Sequence, residues 1–312
     1  MIEIEHVSKR YDDRVVVDDV SLTIEPHKIV TIVGMSGSGK TTLLRMINRL
    51  AQRDAGCIRL DGTDNEQIPG YILRRSIGYA IQGDGLFPHR SVEDNIATVP
   101  RLLGWDKQRI AVRVTELLEL FQLDPSVYAT RFPHQLSGGQ RQRVGVARAL
   151  AAGPNVLLMD EPFGALDPII RSKARDDLLA IHRTLGTTIV MVTHDMDEAV
   201  ALGDKIAVMD AGRLLQYASP AEILSRPASP FVEALVGSTE RPFRMLSFGC
   251  VADVIEPGSS DGAPISLQAS LRDALAELLW SRRSALPVHD SDGMLIGRVT
   301  LETVLKHASR PP

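Results

Sequence analysis

Two rhythms of apolar and polar positions run along this chain. Short unbroken apolar runs alternate with stretches of helical spacing. Ile29–Val33, residues 155–159 and Thr188–Val192 are runs of the first kind. They read as strands buried on both faces, because a half-exposed strand would alternate. Residues 1–7 do alternate, and 15–24 hold further strand-like segments. Residues 43–50 have helical spacing, as do 92–103, Lys107–Leu120, 141–151 and 169–185. In Lys107–Leu120 the side chains of Ile110, Val114, Leu117 and Leu118 share one face, which reads as core packing. Residues 56–62 read as strand and turn, and 76–81 as a strand ending at Gln82. Residues 83–100, rich in Gly and Pro, read as an exposed connection with an apolar tip at Leu86, Phe87 and Pro88. Residues 205–209 and 213–216 close the strand set, and 221–225 and 231–236 are short helices. This order predicts an α/β core at 1–237, interrupted by a helical subdomain at about 88–150.

Past residue 237 the pattern changes. Residues 238–247 are small, charged and Pro-containing, and read as a linker. Residues 248–309 follow with short apolar pieces at 251–254 and 265–267. A helix from Leu271, strands from Leu286 and Leu295, and a helix from Leu301 complete a β-α-β-β-α unit. Such a unit, about sixty residues, buries little surface by itself and calls for a partner.

Length and composition narrow the function. A chain of 312 residues fits two domains, and 44% hydrophobic and 24% charged residues are ordinary for a globular protein. A net charge of -4 gives no polybasic signature, so nucleic acid is not an expected partner. Cys57 and Cys250 match no metal spacing and read as reduced thiols. The N-terminus carries Glu3 and Glu5 and lacks the apolar stretch of a signal peptide. No apolar run reaches the ~18 residues that span a bilayer, so membrane work would need another subunit.

The chemistry concentrates where strands end. After Ile29–Val33 comes GMSGSGKTT: Gly34, Met35, Ser36, Gly37, Ser38, Gly39, Lys40, Thr41 and Thr42. Strand, glycine-rich turn and helix form a polyphosphate cradle, with backbone N–H groups and the helix dipole facing the anion. Lys40 supplies a charge at the β/γ-phosphates, and the Thr41 hydroxyl is placed to ligate Mg²⁺. Ser137, Gly138, Gly139 and Gln140 open the helix at 141–151 and repeat this logic at a second helix start. The run 155–159 ends in Asp160 and Glu161, suited to Mg²⁺ and to a general base for an attacking water. Asp167 closes a short loop, and Thr188–Val192 ends at His194, for which structural and catalytic readings are both open. Tyr11, in a polar loop, is either a surface aromatic or a base-stacking one; stacking contributes about 1–3 kcal/mol.

In this order the motifs resemble the ATPase subunit of ABC transporters over residues 1–237. GMSGSGKTT matches its Walker A motif, Gln82 the Q-loop, and LSGGQ the signature motif. VLLMDEP matches Walker B with its catalytic Glu161, Asp167 the D-loop, His194 the switch histidine and Tyr11 the A-loop aromatic. The segment from Gly78 to Trp105, and that around LSGGQ, are similar to importer ATPases for quaternary amines such as glycine betaine and choline. The resemblance implies ATP and Mg²⁺ as cofactors, with Thr41, Gln82 and Asp160 at the metal. It implies a head-to-tail homodimer in which one chain's signature caps the ATP held by the other's Lys40. A transmembrane permease seated on residues 83–89 and, beyond it, an external solute-binding protein are the expected partners. The expected place is peripheral, at the cytoplasmic face of the membrane. An importer ATPase for another small polar solute, such as an amino acid, is the runner-up. A soluble ABC protein acting on ribosomes or DNA would be expected to carry two cassettes or a coiled-coil insertion. The segment ALPVHDSDGMLIGRVT resembles a CBS motif, and one such motif implies pairing between two chains. Thr303 stands where nucleotide-binding CBS motifs carry Asp, which favours a dimer-stabilising or ionic-strength-sensing unit over a nucleotide sensor.

Overall fold

The computed structural model describes residues 1–308 apart from 82, 84 and 165, and at 168 and 169 the backbone alone. It divides into two compact units, Met1–Ala218 and the chain from Ser219 onward.

The first unit is built on two sheets. β1 (Ile2–Tyr11) and β2 (Arg14–Ile24) form a long antiparallel hairpin, flanked by β4 (Ala55–Leu60) and the two-residue β5 (Thr63–Asp64). The second sheet runs β10-β9-β3-β8-β7-β6. Its members are β3 (Ile29–Val33), β6 (Ile77–Ala80), β7 (Val156–Asp160), β8 (Thr188–Val192), β9 (Lys205–Asp210) and β10 (Arg213–Ala218). All pair in parallel except β10, which is antiparallel to β9. Every residue of β3, β7 and β8 is buried, as their unbroken apolar runs require.

Alternate residues of these strands feed two cores. Val30, Ile32, Leu158, Val190 and Val192 face the β1–β2 hairpin and α1 (Lys40–Ile47), whose Leu43, Leu44 and Ile47 are fully buried. Leu157, Met159, Ile189 and Met191 belong to the other core, shared with the helical insertion. Each fully buried aliphatic side chain contributes roughly 1.5–3 kcal/mol.

Beside α1, this unit carries α2 (Gly70–Ser76), α3 (Val92–Ile96), α4 (Thr98–Leu102), α5 (Lys107–Leu120), α6 (Pro125–Tyr128), α7 (Gly138–Leu150), α8 (Pro168–Leu185) and α9 (Met196–Leu202). Residues 92–103, expected as one helix, are two, broken at Ala97. Pro100 has no N–H to donate to Ile96, so the first helix ends there. The connection before α3 is pinned by Asn95, which is fully buried. Its Oδ1 accepts from the Phe87 N–H at 2.8 Å, and its Nδ2 donates to the carbonyls of Phe87, Arg90 and Ser91. Leu86 is buried as part of the core, while Phe87 is exposed.

The second unit contains α10 (Pro220–Ser225), α11 (Pro230–Val236), α12 (Arg241–Met245), α13 (Leu271–Ser281) and α14 (Leu301–Ala308). A three-stranded sheet runs β11 (Ile265–Ser266), β12 (Ala285–His289), β13 (Leu295–Thr300). Its core holds Val251, Leu271, Leu278, Leu286, Val288, Val299 and Val304. The chain divides between residues 218 and 219, earlier than the boundary at 237 that the pattern suggested. Residues 238–247 are folded rather than a linker. They carry α12, whose buried Arg244 donates to the Val236 carbonyl, while Arg241 Nη2 donates to Ser225 at 2.9 Å. Leu246 is fully buried in the core of this unit. Their small and charged composition hid these tertiary partners. Among the described residues no helix is long and apolar enough to cross a membrane.

Candidate active site

The parallel sheet gathers the predicted residues at one edge. β8 lies between β3 and β7, with Ile32 beside Val192 and Asp160 beside Val192. The loop after β3, the acidic pair at the end of β7 and His194 just past β8 therefore share the carboxyl edge of adjacent strands, where open α/β sheets hold ligands.

Residues 34–39 turn the chain from β3 into α1. Gly39 caps that helix with φ +94°, and a Cβ there would lie 2.3 Å from the Val16 carbonyl oxygen. Only glycine lets β2 press this closely on the loop. Lys40 is buried, and its ammonium donates to the carbonyls of Gly34 and Met35, each at 2.8 Å, with Ser38 Oγ at 3.5 Å. These acceptors are neutral, so the charge is uncompensated by direct pairing and remains able to meet an anion. Burial lowers the Lys40 pKa, while Glu161 and Asp160 act to raise it.

Thr41 Oγ1 donates to Asp160 Oδ1 at 2.9 Å, and Arg45 Nη2 lies 3.6 Å from Asp160 Oδ2. Asp160 is almost wholly buried. A hydroxyl and one carboxylate oxygen thus converge. Mg²⁺ takes few protein ligands and completes its octahedron with phosphate and water, so this pair fits it. Gln82, the third expected ligand, lies outside the described residues. Among the described residues no group of three or more His, Cys, Asp or Glu side chains is placed to hold a metal ion.

Glu161 adopts φ +45°, a strained conformation for a non-glycine residue that costs about 1–3 kcal/mol and tends to persist at functional sites. Its N–H donates to the Val192 carbonyl at 2.9 Å, fixing the turn against β8. Its Oε2 lies 3.3 Å from His194 Nδ1, so the carboxylate and the imidazole that the sequence singled out do meet.

The other predicted residues frame this centre. Tyr11 ends β1 rather than sitting in a loop, because the hairpin ladder extends to Tyr11 opposite Arg14. Its ring is about half exposed, with Lys9 Nζ 5.1 Å from the ring centroid. Arg14 reaches within 3.9 Å of where a Cβ on Gly37 would stand, so the hairpin end adjoins the loop. Ser137 caps α7 in a capping box: its hydroxyl accepts from the Gln140 N–H, and Gln140 Oε1 accepts from the Ser137 N–H. Gln140 Nε2 also donates to the Tyr128 hydroxyl at 3.0 Å. Gly139 lies against Ile170, where a Cβ would stand 2.7 Å from Ile170 Cγ2. Asp167 caps α8 through the Ile170 N–H. The LSGGQ turn is thus organised by its own helix, by Tyr128 and by the start of α8. Sequence reading missed Arg45, Asn95 and Tyr128, which belong to no local motif and gain partners only by folding.

The family model "ABC transporter" matches residues 17–164. The glycine betaine uptake system ATP-binding protein YehX of Escherichia coli is 46% identical over 99% of this chain and 100% of its own length. The osmoprotectant import ATP-binding protein OsmV of Salmonella typhimurium is 42% identical over 96% of this chain and 79% of its own. The ATP-binding cassette MJ0796, solved as a dimer in a post-hydrolysis state bound to ADP and Pi, has a TM-score of 0.63 and 30% identity, covering 70% of this chain and 99% of its own. The carboxyl-edge site and these likenesses converge: the chain belongs to the ATP-binding proteins of ABC transporters and is an ATPase.

Proposed function

We propose that this chain powers the import of an osmoprotectant, glycine betaine, choline or a related quaternary amine, through a membrane permease. The observation that carries the reading is the meeting of Lys40, Thr41, Asp160, Glu161 and His194 at one sheet edge, in a chain alignable end to end with a glycine betaine uptake ATPase.

The loop at 34–42 holds the triphosphate with its N–H groups, and Lys40 faces the β- and γ-phosphates. Mg²⁺, when bound, would neutralise phosphate oxygens, and Thr41, Asp160 and Gln82 would hold it. Glu161 orients a water and accepts its proton as the oxygen attacks the γ-phosphorus. The bond to the bridging oxygen breaks, releasing ADP and phosphate. His194 donates toward a γ-phosphate oxygen. Tyr11 stacks on the base. Ser137, Gly138, Gly139 and Gln140 of a second copy cap the same phosphate, with Asp167 beside them, so that ATP joins two chains head to tail. The dimeric state of the MJ0796 cassette supports this arrangement.

Phe87, held by Asn95, faces the permease, which sits on the segment 83–89, and the chain works at the cytoplasmic face of the membrane. A solute-binding protein delivers the cargo from outside. The unit from Ser219 contains a single CBS motif that pairs with its copy. Thr303, where a ribose-binding Asp would stand, gives its hydroxyl to Glu256 and lies 2.8 Å from the Thr300 hydroxyl, which supports a role other than nucleotide sensing.

Glu161→Gln keeps the shape of the site and removes the proton acceptor. This variant is expected to accumulate as an ATP-bound dimer in light scattering with ATP and Mg²⁺. A variant that remained monomeric would remove the head-to-tail scheme.

A further inference from the structure

Arg171 has no part in the scheme above, yet its guanidinium touches both walls of the site. It stands one turn into α8, and its N–H donates to the carbonyl of Asp167 at 2.8 Å. Its Nη2 donates to the Leu166 carbonyl at 3.1 Å, directly before Asp167. Its Nη1 lies 3.5 Å from Asp195 Oδ2, and its Nε 3.9 Å from Glu198 Oε1. Glu198 is only 3% exposed, and its Oε2 accepts from Thr193 Oγ1 at 2.6 Å. The Asp195 N–H donates to that same hydroxyl at 3.0 Å. Thr193 and Asp195 are the two neighbours of His194. Both sides of the switch histidine are therefore tied, through Glu198 and Asp195, to one side chain that also grips the turn before Asp167.

A simpler fold would not need this arrangement. Asp195 already caps α9 through the Asp197 and Glu198 N–H groups. Burying a carboxylate beside a guanidinium costs solvation that an apolar pair would not. What Arg171 adds is a link: its Nη2 is hydrogen-bonded to the Leu166 carbonyl while its charge lies at ion-pair distance from Asp195 and Glu198, so one side chain joins the two turns.

The geometry points to Arg171 as a positioning residue for hydrolysis. It holds the His194 turn against the Asp167 turn, so that the imidazole stays on Glu161, 3.3 Å away. It acts through His194 and has no chemical role of its own. This rests on the ATPase reading, and the tests below separate the two.

Steady-state ATPase would be measured on the full chain, Arg171→Ala, Arg171→Lys, His194→Ala and the Arg171→Ala/His194→Ala double variant. Displacing a reacting group by about 1 Å can cost up to about 100-fold, so kcat of Arg171→Ala should fall about 10- to 100-fold. Affinity for ADP, which is held by the loop and Lys40, should change less than about threefold. Arg171→Lys should fall between wild type and Arg171→Ala. In the His194→Ala background, Arg171→Ala should change the residual rate by less than about twofold, since residues acting through one another are not additive. An unchanged kcat in Arg171→Ala, or a full multiplicative loss in the double variant, overturns the inference. If Arg171→Ala does not fold, Arg171→Lys alone and on His194→Ala gives the same comparison. A second readout needs no hydrolysis: the His194 imidazole NMR signals of the nucleotide-free chain should shift in Arg171→Lys. Unmoved signals overturn the positioning role. A wild-type chain without ATPase activity would instead strike the proposed chemistry and leave the NMR comparison to judge Arg171.

Discussion

Gly39→Ala tests whether β2 clamps the phosphate loop. The residue has φ +94°, where a side chain costs about 1–2 kcal/mol. The added Cβ would also lie 2.3 Å from the Val16 carbonyl oxygen and 3.3 Å from Val17 Cγ2. The first distance is far below van der Waals contact, so backbone must move, and such overpacking costs about 1–3 kcal/mol. The sum, about 2–5 kcal/mol, corresponds to a fall of roughly 4–20 °C in the melting of a unit this size, at about 2–4 °C per kcal/mol. Gly37→Ala is the internal control. Its φ is +78°, but the nearest atom to its Cβ is Arg14 Nη2 at 3.9 Å. It carries the backbone cost alone, about 2–8 °C. Lys40 and Thr41 follow Gly39 directly, so Gly39→Ala should also weaken ADP binding by at least about tenfold, or 1.4 kcal/mol. Scanning calorimetry and titration calorimetry on both variants supply the comparison. Equal melting temperatures and equal ADP affinities for the two would refute the clamp.

Leu44→Ala removes a fully buried side chain from the core between α1, β1 and the parallel sheet, and should lose about 2–5 kcal/mol in urea unfolding; a loss under about 1 kcal/mol would contradict the packing described. Burial raises the Glu198 carboxyl above its unfolded value, with Asp195 acting the same way and Thr193 and Arg171 opposing. Between those two values the native chain keeps a proton that the unfolded chain has lost, so this group's contribution falls as pH rises through the window. Glu198→Gln, which cannot ionise, should therefore gain stability relative to wild type from about pH 4 upward, and a pH series of melting temperatures that shows a constant or opposite difference would refute it.

Much of this architecture is readable in the residues, for identifiable reasons. β3, β7 and β8 lie buried on both faces, so their apolar runs are unbroken and their ends mark the site. The offsets of Gly39, Lys40 and Thr41 follow from one local turn. α1 begins at Lys40, three residues before its apolar periodicity starts, because its first turn faces the phosphate site rather than the core. The break at Ala97 depends on a hydrogen bond that Pro100 cannot make. The fold of residues 238–247 depends on Arg244 and Leu246 finding partners elsewhere. Arg171 gave no signal for a similar reason: its carboxylates lie at 195 and 198, on another element, and only the packing of α8 beside α9 joins them. Local chemistry was legible, while contacts between side chains distant in sequence were not.

Uptake of labelled glycine betaine, in cells whose import depends on this chain or on its Lys40→Ala variant, at low and high osmolarity, is the most direct measurement. Lys40→Ala removes the ammonium that donates to the Gly34 and Met35 carbonyls of the phosphate loop. Uptake that is present with the wild-type chain and abolished with Lys40→Ala is the predicted result. Equal uptake with both chains would contradict ATP-driven import of this solute.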